Sequence, residues 1–185
     1  LFFFNFLHRY SLITVILYCI SLQIVSQILV WVMKNKFSKD LIAPCGMDCN
    51  VCSGFLAMRH DIKNKGIPMT YCQGCRPRDK KCAFLKKRCE RLLKHSVTFC
   101  SECPEFPCEN ITHIDTRYQK FFRMSLLENL ASIKTNGMEQ FLRAEEEKWR
   151  CPNCGGTISC HNGLCFVCDT ALLKKKKQLY RWDDE

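Results

Sequence analysis

The sequence predicts a small metal-stabilised fold, α-rich within the α+β class. It consists of short helices between cysteine knuckles, a helical segment, and a C-terminal β-hairpin of the zinc-ribbon kind. Three observations predict it. Sixteen of the 185 residues are cysteine, a density that in a chain of this size means either a disulfide scaffold or a set of metal sites. Ten of them form the C-x2-C pairs Cys49/Cys52, Cys72/Cys75, Cys100/Cys103, Cys151/Cys154 and Cys165/Cys168, a spacing that brings two thiolates onto one ion more readily than into separate bridges. Finally, residues 41–110 hold ten cysteines and residues 111–150 hold none, and in that second stretch apolar residues recur at helical spacing.

The length allows one ordinary domain or two small ones. A formal charge of +10 points towards nucleic acid, but it counts every thiol as neutral. Twelve thiolates around three divalent ions would change it by about −6, leaving a mildly basic protein.

Residues 10 to 32 carry no charge and are long enough to cross a bilayer as a helix. Lys34, Lys36 and Lys39 follow, against Arg9 before the run, so the positive-inside rule would leave everything after Lys34 in the cytoplasm. The other reading of segment 1–32 is a mis-assigned start. It contains no Gly, Ala, Asp, Glu or Lys, as translated T-rich non-coding DNA would, and Met33 offers an ordinary start. A secretory signal fits least, because the run is too long and no small-residue cleavage site follows. Both favoured readings keep the cysteines in a reducing compartment, which opposes disulfides.

Residues 41–110 form the cysteine-rich metal-binding part. Cys45, Cys49 and Cys52 stand in C-x3-C-x2-C spacing, which resembles the motif by which radical S-adenosylmethionine enzymes hold a four-iron cluster. Those enzymes need a large barrel after the motif, and seven more cysteines follow here instead. Pairing Cys49/Cys52 with Cys72/Cys75 gives C-x2-C-x19-C-x2-C, in the range of treble-clef and ribbon zinc sites. Cys82, Cys100, Cys103 and either Cys89 or Cys108 can form a second group, with Cys45 left over. Ten thiols do not divide into fours, so an iron-sulfur cluster stays open beside zinc.

A short helix is expected to leave Cys52, with Phe55, Met58 and Ile62 on one face and Gly66 as its stop; its amides would favour thiolate. A second covers 82–95, with Leu85, Cys89, Leu92 and Leu93 on one face. Cys82 and Cys89 would be about 10 Å apart along an unbroken helix, too far for one zinc, so Cys82 lies ahead of the helix or the two serve different purposes. Cys89 also reads as a small buried apolar residue.

Residues 111–150 form the helical segment. Tyr118, Phe122, Leu126, Leu130 and Ile133 predict one helix over 115–134, capped by Asp115 and ended by Asn136-Gly137. A second, over 138–149, buries Phe141, Leu142 and Trp149 and turns Glu145, Glu146 and Glu147 outward.

Residues 151–172 carry the most specific pattern. Two C-x2-C knuckles ten residues apart, the first followed by Gly155-Gly156, predict a ribbon in which Cys151, Cys154, Cys165 and Cys168 surround one ion. Glycine after a knuckle lets backbone amides turn towards the sulfurs. Cys160 and His161 fall at the far end of the hairpin, away from the ligands. Residues 173–185 read as a basic solvated tail, with Lys174 to Lys177 a weak nucleic-acid signal.

The stretches "LIAPCGMDCNVCSGFLA" (41–57), "YCQGCR" (71–76), "CSECPEFPCENI" (100–111), residues 115–142 and "WRCPNCGG" with "CHNGLCFVC" behind it resemble a bacterial and archaeal family catalogued as domain of unknown function 3795. The likeness runs from about Leu41 to Thr170, though some members lack the final ribbon. It implies a small cysteine-rich metal-binding domain with no established reaction, and a start a few residues before the first cysteine.

No general base, phosphate loop or nucleophile constellation is legible, so whether the chain is an enzyme stays open. The leading expectation is a cytoplasmic protein with two to three zinc ions, acting on an unknown protein partner as an interaction or regulatory module. The alternatives are an iron-sulfur redox protein or enzyme built on the Cys45/Cys49/Cys52 region, and a nucleic-acid-binding zinc protein. A membrane enters only if residues 1–32 are translated, in which case the cysteine-rich part would face the cytoplasm.

Overall fold

The computed structural model describes residues 37–79, 85 and 88–183. The apolar segment 1–32 and Cys82 lie outside the described residues. Among the described residues no helix is long and apolar enough to cross a membrane.

Six α-helices and no named strands make up this part: α1 (Ser53–Arg59), α2 (Glu90–Leu93), α3 (Glu109–Phe122), α4 (Leu126–Asn136), α5 (Met138–Lys148) and α6 (Thr170–Lys175). Single 3-10 turns at Cys49–Val51 and Cys100–Glu102 shape two of the knuckles. α1 leaves Cys52 as expected, but it buries Ser53, Gly54, Leu56 and Ala57, and leaves Phe55 and Met58 part-exposed. Of the helix expected over 82–95, the described residues show one turn, Glu90–Leu93, with Cys89 as its N-cap.

The helix expected over 115–134 is two helices. α3 starts earlier, behind Cys108, and ends at Arg123, whose φ of 51° is left-handed. α4 begins at Ser125, whose hydroxyl accepts the Glu128 N–H at 3.1 Å. Ser125 and Glu128 stand in the S-x-x-E spacing of a capping box, and that local start signal outweighs the continuous apolar stripe. Asp115 does not cap its own helix. It reaches the next one, where Oδ1 accepts the N–H groups of Leu126 (2.6 Å) and Leu127 (3.1 Å). α4 ends at Gly137, as expected.

α5 follows the sequence expectation closely, with one reversal. Glu145 points inward, 5% exposed, and accepts the Trp149 indole N–H at 2.9 Å and the Lys148 ammonium at 3.3 Å. These two donors offset the cost of burying a carboxylate. Glu146 accepts the Phe37 N–H, and Glu147 is exposed and pairs with Arg150.

Two apolar clusters hold the unit from Phe37 onward together. The larger packs the 37–51 stretch against α3, α4 and α5 through residues such as Ile42, Val51, Ile111, Leu126 and Phe141. The smaller joins α1 and the loop behind it to the C-terminal part, bringing Leu56, Ile62 and Met69 against Phe166 and Leu173. Residues 173–183 contribute to this packing. Leu173 is fully buried, the Trp182 indole donates to the Cys160 carbonyl at 2.8 Å, and the Tyr180 hydroxyl accepts the Thr70 N–H at 3.0 Å.

Candidate metal centre

Cys151 and Cys154 follow directly from α5, and Cys165 and Cys168 precede α6. Their four sulfurs lie within 4.8 Å of one another. Cys151 and Cys168 are 3.5 Å apart, Cys154 and Cys165 3.5 Å, and Cys154 and Cys168 3.7 Å. A tetrahedral ion with metal–sulfur bonds of about 2.3 Å requires sulfur–sulfur edges of about 3.8 Å. The four thiols therefore fit a single ion, whereas a polynuclear cluster would interpose its own metal and sulfide and hold them farther apart.

The local backbone explains the closeness. Gly156 donates its N–H to Cys154 Sγ at 3.4 Å, and a Cβ there would lie 3.2 Å from that sulfur and 3.4 Å from Cys165 Sγ. A side chain there would push these sulfurs aside by a few tenths of an ångström, and glycine avoids that. Cys151 N–H donates to the Gly156 carbonyl at 2.7 Å, closing the first knuckle. In place of the expected β-hairpin, the described residues show two isolated antiparallel bridges, Arg150 with Thr157 and Ile158 with Cys165. The knuckle turns occupy most of each arm and leave too little extended backbone for a ladder.

The acidities of Cys151, Cys165 and Cys168 diverge. Burial raises Cys151, but the backbone N–H groups of Cys154 and Asn153 and the neighbouring thiols outweigh it and leave its pKa at about 7. Burial raises Cys165 and Cys168, and hydrogen bonds from the other sulfurs raise Cys168 further. One thiolate forms readily and further ones resist, so full ionisation calls for a cation at the centre.

The structure brings the described cysteines of 45–108, which leave out Cys82, into two neighbourhoods. In the first, Cys75 donates its N–H to Cys49 Sγ at 3.3 Å. Cys72 and Cys52 flank Gly54, where a Cβ would lie 3.1 Å from Cys72 Cβ and 3.9 Å from Cys52 Sγ. The Arg78 guanidinium donates to Cys72 Sγ at 3.3 Å. Cys49 is buried, and its thiol is pushed up first by its hydrogen bond with Cys75 and then by desolvation. The α1 amides do favour a Cys52 thiolate, as the sequence suggested, but burial outweighs them and its pKa rises to about 11.

In the second neighbourhood, the Cys100 thiol is pushed up to about 12, chiefly by burial and then by like charge on Cys45, Cys89, Cys108 and Cys103. Cys100 donates its N–H to the Pro44 carbonyl at 2.9 Å, next to Cys45. Cys45, left over in the sequence reading, thus falls beside Cys100, and both Cys89 and Cys108 lie there as well. Among the described residues, the set of three or more ligand atoms all within 4.8 Å of one another is Cys151, Cys154, Cys165 and Cys168; the two neighbourhoods are wider.

Cys160 and His161, set apart from the ligands in sequence, dock the ribbon segment onto the first knuckle. Cys160 N–H donates to the Val51 carbonyl at 3.0 Å, Ser53 N–H to His161 Nδ1 at 3.3 Å, and the hydroxyls of Ser53 and Ser159 share a hydrogen bond of 2.7 Å. No spacing rule in the sequence signals these long-range contacts. The start of α4 at Ser125, which the sequence reading passed over in favour of one helix, positions Gly46: Asn129 of α4 donates to the Gly46 carbonyl at 2.9 Å, beside Cys45.

Fold and site define a small, helix-rich, cysteine-dense protein with a four-thiol group able to hold a metal ion. Residues 41–113 match the family model described as protein of unknown function (DUF3795), and the ribbon cysteines lie beyond the matched stretch. No curated protein and no solved structure matches the chain.

Proposed function

We propose that the chain is a multi-site metalloprotein of the cytoplasm whose ions are structural, and that it serves as an interaction or regulatory module for another protein. The observation that carries this reading is the sulfur tetrahedron of Cys151, Cys154, Cys165 and Cys168, with edges of 3.5–3.7 Å where measured. Four protein thiolates leave no open position for a substrate, as in a closed structural zinc site. The segment then acts as a zinc ribbon whose hairpin is held by its ion and by few ladder bonds. Cys49, Cys52, Cys72 and Cys75 would form a second zinc site, each sulfur moving slightly on binding.

Metal analysis of anaerobically purified residues 33–185 tests this. Two to three zinc per chain in colourless protein supports it; less than one zinc per chain overturns it.

A second reading is favoured by the neighbourhood of Cys100. Cys45, Cys89, Cys103 and Cys108 lie near enough to Cys100 to raise its pKa, and such a gathering of thiols could also hold an iron-sulfur cluster. Brown protein with iron and acid-labile sulfide would support it. Loss of that absorbance in Cys45→Ala, with the ribbon ion retained, would place the cluster in this neighbourhood.

A further inference from the structure

Beside the cysteine-rich region lies a cleft of about 670 Å³ between the 43–47 turn, α3 and the 159–161 docking point. That volume is in the range of small-molecule sites. Its walls are mostly apolar, including Ala43, Met47, Ile114 and Phe122. Polar groups interrupt them, among them Tyr118 and His161, whose ring centroids are 6.2 Å apart.

Among the described residues neither group is paired by the protein on the cleft side. His161 Nδ1 accepts the Ser53 N–H at 3.3 Å, which leaves the ring proton on Nε2 as a donor. Among the described residues Nε2 and Tyr118 Oη have no hydrogen-bond partner. Both rings are partly buried, and burial drives the His161 pKa down to about 4 and holds the Tyr118 phenol well above its usual value. Phe122 meets the His161 ring edge-on at 4.6 Å and fixes its orientation. A neutral imidazole and a neutral phenol, held rigidly, thus each present a donor to the cleft that a ligand acceptor can take in place of water.

We propose that this cleft binds a small organic carboxylate with an apolar body, its oxygens accepting from Tyr118 Oη and His161 Nε2 while its hydrocarbon part packs on Met47, Ile114 and Phe122. The two groups both present donors, so the matching head is an acceptor. Arg76, held by the carbonyls of Ile42 and Thr98, also lines the cleft, and its positive charge favours an anion over its neutral amide. Cys45 and Cys75 also line the cleft, so the binding site is that of the metal-loaded chain.

Calorimetric titration of the metal-loaded chain with phenylacetate tests it, with phenylacetamide as the neutral counterpart. Phenylacetate should bind at least about tenfold more tightly than the amide. Tyr118→Phe and His161→Asn should each weaken phenylacetate by about fivefold to tenfold, the worth of one hydrogen bond to a charged group. Asparagine keeps an acceptor for the Ser53 N–H, and far-ultraviolet circular dichroism with metal content confirms that each variant is folded. If a variant does not fold, the shift of the Tyr118 and His161 ring resonances in the unaltered protein on adding phenylacetate decides instead. Absence of binding at millimolar phenylacetate, equal affinity for the amide, or ring resonances unmoved by bound ligand would each overturn the assignment.

Discussion

Asp115, midway along α3, accepts the backbone N–H of Leu126 at 2.6 Å and so caps a helix to which it does not belong. The same oxygen accepts the Leu127 N–H at 3.1 Å and the Ser125 hydroxyl at 3.0 Å, and its other oxygen accepts from Gln119 at 2.6 Å. Helix starts leave N–H groups unpaired and carry partial positive charge, so a buried carboxylate there is stabilising. Replacing Asp115 by Ala should lower unfolding stability by about 2–4 kcal/mol, as expected for a lost cap that strands buried donors. Asn, which keeps an acceptor, should cost less. Chemical denaturation of the metal-loaded chain measures both, and a loss of under about 0.5 kcal/mol in the alanine variant would refute the capping role.

The capped start of α4 also supports the first cysteines. Gly46 has φ +85°, and a Cβ on it would lie 2.5 Å from the Leu126 carbonyl oxygen and 2.8 Å from Leu130 Cγ. Gly46→Ala therefore meets both backbone strain and overlap with backbone, and neither can be relieved by a side-chain rotation. The expected result is a loss of about 2–4 kcal/mol in stability and weaker metal retention at the Cys45–Cys52 stretch. Metal release monitored with a chromogenic chelator reads the second effect. Release kinetics unchanged from the original protein would show that the turn does not hold these thiols in place.

At the four-thiol group, the fit to one tetrahedral ion predicts a discrete stoichiometric effect. Cys154→Ser should remove one equivalent of metal per chain and leave the rest, because the other cysteine neighbourhoods lie elsewhere in the chain. It should also loosen the C-terminal part, where Phe166 and Leu173 pack against Leu56 and Ile62. Limited proteolysis should then cut within 155–183 before it cuts α3 to α5. Unchanged metal content in the serine variant would exclude this group as an ion site.

Sequence periodicity and spacing recovered what is local. The grouping of Cys151, Cys154, Cys165 and Cys168, the start of α1 at Cys52, the end of α4 at Gly137 and nearly the whole of α5 follow from near-neighbour signals, and the structure contains them. The errors arose where a distant partner decides. The apolar stripe from Tyr118 to Ile133 reads as one helix, yet Ser125 with Glu128, completed by Asp115 from the preceding helix, starts a second. Glu145 reads as outward until Trp149 supplies an indole donor from its own next turn. Cys45 reads as surplus because nothing in its spacing shows that Cys100 ties back to Pro44. The docking of Cys160 and His161 onto Val51 and Ser53 spans more than a hundred residues, and no local pattern encodes it.

That docking contact makes stability depend on pH. Burial lowers the His161 pKa from 6.5 to about 4 in the folded chain; on unfolding the ring regains its ordinary value. Above 6.5 the ring is neutral in both states and the contact is fully retained. Between 6.5 and 4 the unfolded chain binds the proton and the folded chain does not, so stability falls with pH across that window. A shift of this size corresponds to about 3 kcal/mol, reduced to roughly 2 because the ring keeps some surface towards the cleft. Acid also protonates the cysteine ligands, so the unaltered chain alone cannot isolate the histidine. His161→Asn removes the titrating group and keeps the acceptor for Ser53, while metal loss affects both chains alike. Between pH 7 and pH 4, unfolding stability should therefore fall by about 2 kcal/mol more in the original than in the variant. Parallel curves would show that the imidazole remains able to take a proton in the folded protein, and that its burial between Tyr118, Phe122 and Ser53 does not control its charge.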